Sequence, residues 1–134
     1  MFTILLVEDS SAIRAIVRQQ LLGLKMREVV MAANGQEALN ILKKRDDIDA
    51  VISDWHMEPM DGLSFCTAVQ KNPRLKGRQL PVIFITADPK LADDDTRDKV
   101  MESARRLGIV DIVTKPFTQD ALRAALSKGL GFQV

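Results

Sequence analysis

The chain has 134 residues, of which 46% are hydrophobic and 28% charged, and its formal net charge at pH 7 is +1. This length suits a single domain, residues 1–134, with one core, and the balanced charge argues against disorder and against nucleic acid as the main partner. No apolar run approaches the roughly 20 residues of a membrane-spanning helix, and the lone cysteine, Cys66, indicates a reduced, cytoplasmic protein.

Apolar runs and helical patterns alternate along the whole chain. The runs that predict strands are TILLV (3–7), VVMAA (29–33), AVIS (50–53), PVIFIT (81–86) and IVDIVT (109–114). Each is followed by a helical pattern, so the chain consists of five strand–helix units. Strands that are apolar almost throughout predict an α/β fold in which helices cover both faces of a parallel sheet.

The helices carry start and stop signals. Ser10 and Ser11 precede the first helix, which Glu8 or Asp9 could also cap, and the residues expected to cap later helices are Asn34, Asp61 and Thr118. The apolar face of the first helix is predicted to carry Ile13, Ile16, Val17, Leu21 and Leu24. Pro73 is expected to end the third helix and Gly108 the fourth, while the acidic run 93–95 suits the start of the fourth helix better than a second metal site.

Polar residues follow four of the five strands. They are Glu8, Asp9, Asp54, Thr86 and Lys115. The carboxyl ends of parallel strands meet at one edge of a sheet, where open α/β folds bind ligands. Carboxylates about 4 Å apart repel by about 4 kcal/mol per pair at an effective dielectric constant near 20, so a cation is needed beside them. Oxygen ligands favour a hard ion such as Mg²⁺.

This set of residue types indicates a phosphoryl-transfer site. The adjacent acids Glu8 and Asp9 suit metal binding, whereas the single acid Asp54 suits covalent acceptance of a phosphoryl group. Thr86 could donate a hydrogen bond to a phosphoryl oxygen, and Lys115 could supply a compact positive charge.

Four motifs, VEDS, SDWHMEPMDG, FITAD and VTKPF, resemble the receiver domain of two-component response regulators, the CheY-like family. The resemblance covers essentially the whole chain and implies a doubly wound sheet of strand order 2-1-3-4-5 with five helices. It implies Asp54 as phospho-acceptor, Thr86 as switch hydroxyl and Lys115 as a phosphoryl contact. The Mg²⁺ ligands that it implies are Glu8, Asp9, Asp54 and the backbone carbonyl of His56. It also implies a cis bond between Lys115 and Pro116.

Three features depart from the commonest family pattern. Ile112 stands where many members carry Tyr or Phe, which puts an aromatic switch in doubt. The segment from Thr86 to Lys115 is several residues longer than in compact members, with its extra length in 87–99. His56 replaces a frequent Asn two residues after Asp54, so the lifetime of a phosphorylated state does not follow from the sequence.

Because the chain ends at Val134, just past the last predicted helix, we expect a stand-alone regulator without an output domain. The resemblance implies that it is not an enzyme and catalyses only its own phosphorylation and dephosphorylation. A sensor histidine kinase or a histidine phosphotransfer protein would donate the phosphoryl group. The surface of the fourth helix, fifth strand and fifth helix would then bind a downstream protein, as in chemotaxis-type regulators or phosphorelay intermediates.

Two alternatives remain open. One is a receiver-like module that binds a partner without phosphorylation, through the long segment or through Arg105 and Arg106. The other is a Mg²⁺-dependent phosphohydrolase with an aspartyl-phosphate intermediate. Such enzymes of the dehalogenase type need an Asp-x-Asp motif after the first strand, where this chain has Glu8-Asp9-Ser10.

Overall fold

The protein forms a five-stranded parallel sheet flanked by helices. A computed structural model describes residues 2–24, 26–54, 62–76, 80–87, 93–105, 108–114 and 118–131. The strands are β1 (Thr3–Val7), β2 (Glu28–Ala32), β3 (Ala50–Asp54), β4 (Val82–Thr86) and β5 (Ile109–Thr114). The helices are α1 (Ser11–Gly23), α2 (Gly35–Lys44), α3 (Gly62–Lys71), α4 (Pro73–Lys76), α5 (Asp94–Ala104) and α6 (Gln119–Leu130).

The strand order is β2-β1-β3-β4-β5, and every adjacent pair is parallel. Both the fold class and the strand order predicted from the sequence are therefore confirmed. From β1 the chain builds outwards to β2 on one side and to β3 on the other. The order reverses between β1 and β3, which makes the carboxyl edge at this point the expected ligand crevice.

Each face of the sheet has its own apolar cluster. Val17 and Leu21 of α1 and Leu122 of α6 belong to a cluster with alternate residues of the central strands, such as Ile4 and Ile52. The remaining helices cover the other face, where the cluster contains Leu42 of α2, Phe65 of α3 and Leu75 of α4. All five residues in each of β1, β3 and β4 are buried, as expected for strands covered on both faces.

Helix caps follow the sequence signals where the structure describes them. The side chains of Ser10, Asn34 and Thr118 accept hydrogen bonds from backbone N–H groups three residues later, at the starts of α1, α2 and α6. Asp93 caps α5 in the same way, and Asp94 pairs with Arg97 at 2.9 Å. The acidic run 93–95 therefore begins a helix, as predicted. Asp61, the cap expected for α3, lies outside the described residues.

Two expectations need correction, and one short helix, α4, was not predicted. Ile16, assigned to the apolar face of α1, is 54% exposed, because the core-facing stripe of the helix runs through Val17 and Leu21. The edge strand β2 is only partly covered, and its Met31 is 42% exposed. Pro73 does end α3, but it also begins the one-turn helix α4, since its fixed φ and missing N–H suit a first helical position. The fourth and fifth predicted helices are thus α5 and α6.

Among the described residues, no helix has the length and apolar character needed to cross a membrane.

Cys66 lies in α3 and is fully buried within an apolar cluster. Burial raises the pKa of its thiol to about 12, because the thiolate would lose its hydration. We expect Cys66 to resist thiol reagents at mildly alkaline pH and to react at once in denaturant. Absorbance would measure the reaction, and rapid labelling of Cys66 in the folded protein would contradict its burial.

Gly108 has a φ of +84°, and its carbonyl accepts a hydrogen bond from the Val82 N–H at 2.9 Å. A Cβ here would lie 3.2 Å from the Leu80 carbonyl oxygen. At Gly131, which caps α6 with a φ of +73°, a Cβ would meet nothing within 4 Å. We expect Gly131→Ala to lower the free energy of unfolding by about 1 kcal/mol and Gly108→Ala by about 2 kcal/mol. Equal losses in urea denaturation would show that the Leu80 contact costs nothing.

Candidate functional site

Glu8 and Asp54 lie side by side at the carboxyl edge of the sheet. The register of β1 and β3 pairs Val7 with Ser53. Glu8 follows Val7 and Asp54 follows Ser53, so the two acids are neighbours. Glu8 is 1% exposed and Asp54 is 7% exposed. The strand pairing, set by the apolar residues before them, therefore brings together two buried carboxyl groups at the point where the strand order reverses.

Asp9 adds a third, exposed carboxyl group. One carboxylate oxygen from each of Glu8, Asp9 and Asp54 lies within 4.8 Å of the others. Among the described residues, these three acids form the only cluster of this kind. An all-oxygen set with one solvent-facing member fits a hard divalent cation such as Mg²⁺, which binds few carboxylates and keeps several waters. The three acids predicted to hold a metal are thus brought together.

Local hydrogen bonds fix the loop that carries Glu8. The Ser10 N–H donates to Glu8 Oε1 at 3.1 Å, and the Arg14 guanidinium donates to the Glu8 backbone carbonyl at 2.8 Å. The Glu8 N–H donates to the carbonyl of Ala32, at the end of β2, at 3.0 Å. Three hydrogen bonds therefore stabilise the turn after β1.

Arg14 lies next to the site and was not predicted from the sequence. It lies in the first turns of α1, where it brings a cation close to the acids while bonding to backbone rather than to a carboxylate. Its position, six residues after Glu8 and four after the helix cap, is the signal that could have revealed it.

Thr86 is the last residue of β4 and is fully buried. Asp54 pairs with Ile85 in the β3–β4 register, so Thr86 lies one position beyond the neighbour of Asp54. Thr86 itself pairs with Thr114, the last residue of β5, and Lys115 follows Thr114 in the chain. Lys115, Pro116 and residues 55–61, among them His56, lie outside the described residues.

The sequence matches the family described as the response regulator receiver domain over residues 4–127. It is 36% identical over 125 residues to chemotaxis protein CheY-3 of Vibrio cholerae, covering 93% of this chain and 88% of that protein. It is 31% identical over 128 residues to the chemotaxis protein CheY homolog of Campylobacter jejuni, covering 96% of this chain and 92% of that protein.

Solved structures agree with these sequence matches. The fold is similar to that of the chemotaxis response regulator CheY4 of Vibrio cholerae, with a TM-score of 0.76, 29% identity, and coverage of 97% of this chain and 99% of that one. It is also similar to a putative response regulator from Chloroflexus aurantiacus, with a TM-score of 0.79, 28% identity, and coverage of 97% and 98%.

Mutual repulsion within the acidic cluster yields a stability prediction. Without divalent cations, Asp9→Asn and Asp54→Asn should each raise the melting temperature, by about 2–5 °C, because each removes one like charge. Mg²⁺ should stabilise the wild type, since a ligand bound by the folded state alone shifts the unfolding equilibrium, and the two variants should respond less. Thermal melts with and without a chelator measure both effects.

Asp46→Asn is the matched control, because Asp46 is an exposed acid between α2 and β3, at the opposite edge of the sheet. Its response to Mg²⁺ should equal that of the wild type. A clear fall in melting temperature for both site variants in the presence of chelator would show that the clustered carboxylates do not repel one another.

Proposed function

Because the chain belongs to the response regulator receiver domain family, we propose that Asp54 accepts a phosphoryl group from a phosphohistidine on a sensor histidine kinase or a histidine phosphotransfer protein. Receiver domains of this family act with histidine kinases and with downstream targets in two-component signalling. The observation that carries the proposal is the meeting of three carboxylates at the strand-order reversal. A stand-alone architecture and a cytoplasmic location stay predictions from the sequence.

Asp54 is the best acceptor of the three acids. As the last residue of β3, it belongs to a strand that is buried throughout and pairs with β1 and β4. The Ser53 hydroxyl donates to the Asp54 backbone carbonyl at 3.0 Å. A nucleophile held in this way keeps a fixed direction of attack, which lowers the entropic cost of reaching the transition state.

Glu8 and Asp9 would hold Mg²⁺ together with Asp54, and the His56 carbonyl is the further ligand that we propose. The ion, when bound, would offset the carboxylate charge and the charge on the transferring phosphoryl group. The remaining contributions come from the protein: burial of Glu8, the solvent-facing position of Asp9, and the hydrogen bonds that hold the loop after β1.

In the transfer step, a carboxylate oxygen of Asp54 forms a bond to phosphorus while the phosphorus–nitrogen bond of the phosphohistidine breaks. The electron pair of the broken bond stays on the imidazole, which leaves as a neutral ring if its other nitrogen carries a proton. The product is an acyl phosphate on Asp54. We assign Thr86 as hydrogen-bond donor to a phosphoryl oxygen and Lys115 as the compensating positive charge.

Phosphorylation would alter a groove of about 780 Å³ between α5, β5 and α6. Ile112 lines this groove, is 2% exposed, and pairs in register with Phe84, two residues before Thr86 on β4. Phe84 and Ile112 belong to the same apolar cluster. A shift of Thr86 toward the phosphoryl group could therefore change the packing beneath the groove, and with it the affinity for a downstream protein.

A second candidate, partner binding without phosphorylation, is favoured by Ile112 alone. The family often places an aromatic side chain at this position, whereas here a buried aliphatic residue is part of the core. Capture of a partner should distinguish the two functions. Under the main proposal, protein treated with beryllofluoride binds the partner more tightly than the Asp54→Asn variant does. Equal binding would favour a module that binds its partner without phosphorylation.

Phosphorylation itself is tested by intact-mass measurement after incubation with acetyl phosphate and Mg²⁺. The wild type should gain one phosphoryl group, and Asp54→Asn should gain none, because the amide is not a nucleophile for this transfer. Omission of Mg²⁺ should suppress labelling. Asp46→Asn, which retains all five proposed site side chains, should be labelled like the wild type, whereas equal labelling of Asp54→Asn would move the acceptor elsewhere.

A further inference from the structure

Besides their apolar packing, α1 and α6 are linked by a side-chain hydrogen bond. The Gln119 side-chain Nε2 donates a hydrogen bond to the Gln20 backbone carbonyl at 3.0 Å, between residues 99 positions apart. In a regular helix, the Leu24 N–H would donate to the Gln20 carbonyl. Here the Leu24 N–H donates instead to the carbonyls of Leu21 and Leu22. Gln119 thus supplies the donor that this helix end lacks.

Gly23 makes room for this bond. A Cβ at position 23 would overlap the amide nitrogen of Gln119, and the backbone of Gly23 is outside the left-handed region. A Cβ at this position would disturb the Gln119 side chain, whereas the backbone angles of Gly23 do not call for a glycine. An alanine here would displace the amide, which is the free end of a flexible side chain.

The two helices joined by this bond both begin next to proposed site residues. α1 starts at Ser11, directly after the turn with Glu8 and Asp9, and Arg14 of α1 bonds to the Glu8 carbonyl. Gln119 is the first residue of α6, four positions after Lys115 in the sequence. The hydrogen bond consequently ties the first turn of α6 to the helix that follows the acids.

We propose that Gln119 is a positioning residue for the phosphorylation of Asp54, acting by holding the first turn of α6 against α1. This hydrogen bond fixes the start of α6, which follows Lys115, relative to α1, which follows Glu8 and Asp9. Gln119 touches none of the reacting atoms. It acts by positioning α6, and its loss should therefore lower the rate of phosphoryl transfer. This inference rests on the proposed phosphorylation of Asp54.

The first test measures labelling of Gln119→Ala by acetyl phosphate at a temperature where thermal melts show the protein fully folded. We expect the maximal rate of labelling to fall about threefold to tenfold, because misplacing a reacting group lowers the rate of transfer more than it weakens ground-state binding. The half-saturating concentrations of acetyl phosphate and of Mg²⁺, the latter from calorimetry, should stay at the wild-type values. A purely structural role would leave the maximal rate of the folded protein unchanged.

Gln20→Ala is the matched control, because it keeps the backbone carbonyl that accepts the bond. The Gln20 side-chain Oε1 is buried without a hydrogen-bond partner among the described residues, so its removal should cost little stability. The labelling rate of Gln20→Ala should equal that of the wild type. A loss as large as that of Gln119→Ala would assign the effect to packing at the end of α1.

Gly23→Ala breaks the same bond from the opposite side and closes a double-mutant cycle. Alone, it should slow labelling as Gln119→Ala does. Combined with Gln119→Ala it should cause no further slowing, and in that background it should raise the melting temperature, since alanine favours the helix once the amide is gone. Additive slowing, or wild-type rates in both single variants, would overturn the positioning role. If the wild type gains no phosphoryl group at all, the proposed function fails instead.

Discussion

The pairing of β1 with β3 is the constraint on which the rest of the site depends. It aligns Val7 with Ser53 and thereby places Glu8 beside Asp54, with both side chains almost fully removed from solvent. A slip of one residue would exchange the side chains that β1 presents to the two apolar clusters, so the packing of both clusters opposes a change of register. The sheet thus imposes a proximity that electrostatics opposes.

That opposition gives the site its chemistry. Two buried carboxylates and one exposed carboxylate within 4.8 Å attract positive charge strongly, and the exposed Asp9 leaves a solvent-facing side on which an ion can keep its waters. The backbone around them is held by strand pairing and by the bonds from Ser10 and Arg14. Since strand pairing holds the carboxylates together, a cation bound beside them would lower the repulsion.

The fold could be predicted because its signals are local. Strand ends agreed with the sequence within one residue, as apolar runs covered on both faces are unambiguous, and Ser10, Asn34 and Thr118 cap helices as their side chains suggest. The acidic cluster also followed, because the topology of a doubly wound sheet brings strand ends together. What could not be predicted depends on tertiary contact. The exposure of Ile16 reflects the rotation of α1 on the sheet, and the bond from Gln119 to Gln20 joins residues 99 positions apart.

If Asp54 is phosphorylated as we propose, packing would transmit the change from Asp54 to the groove, without a side chain that swings outwards. Thr86 and Phe84 are alternate residues of β4 and therefore face the same side of the sheet, where Ile112 of β5 pairs with Phe84. Phe84 is fully buried, and Ile112 is 2% exposed although it lines the groove. In an interior packed as densely as an organic crystal, a small displacement of Thr86 must be accommodated by neighbours or not at all. We therefore expect a receiver with Ile112 at this position to signal through a concerted shift of β4, β5 and α5, with the groove itself as the readout.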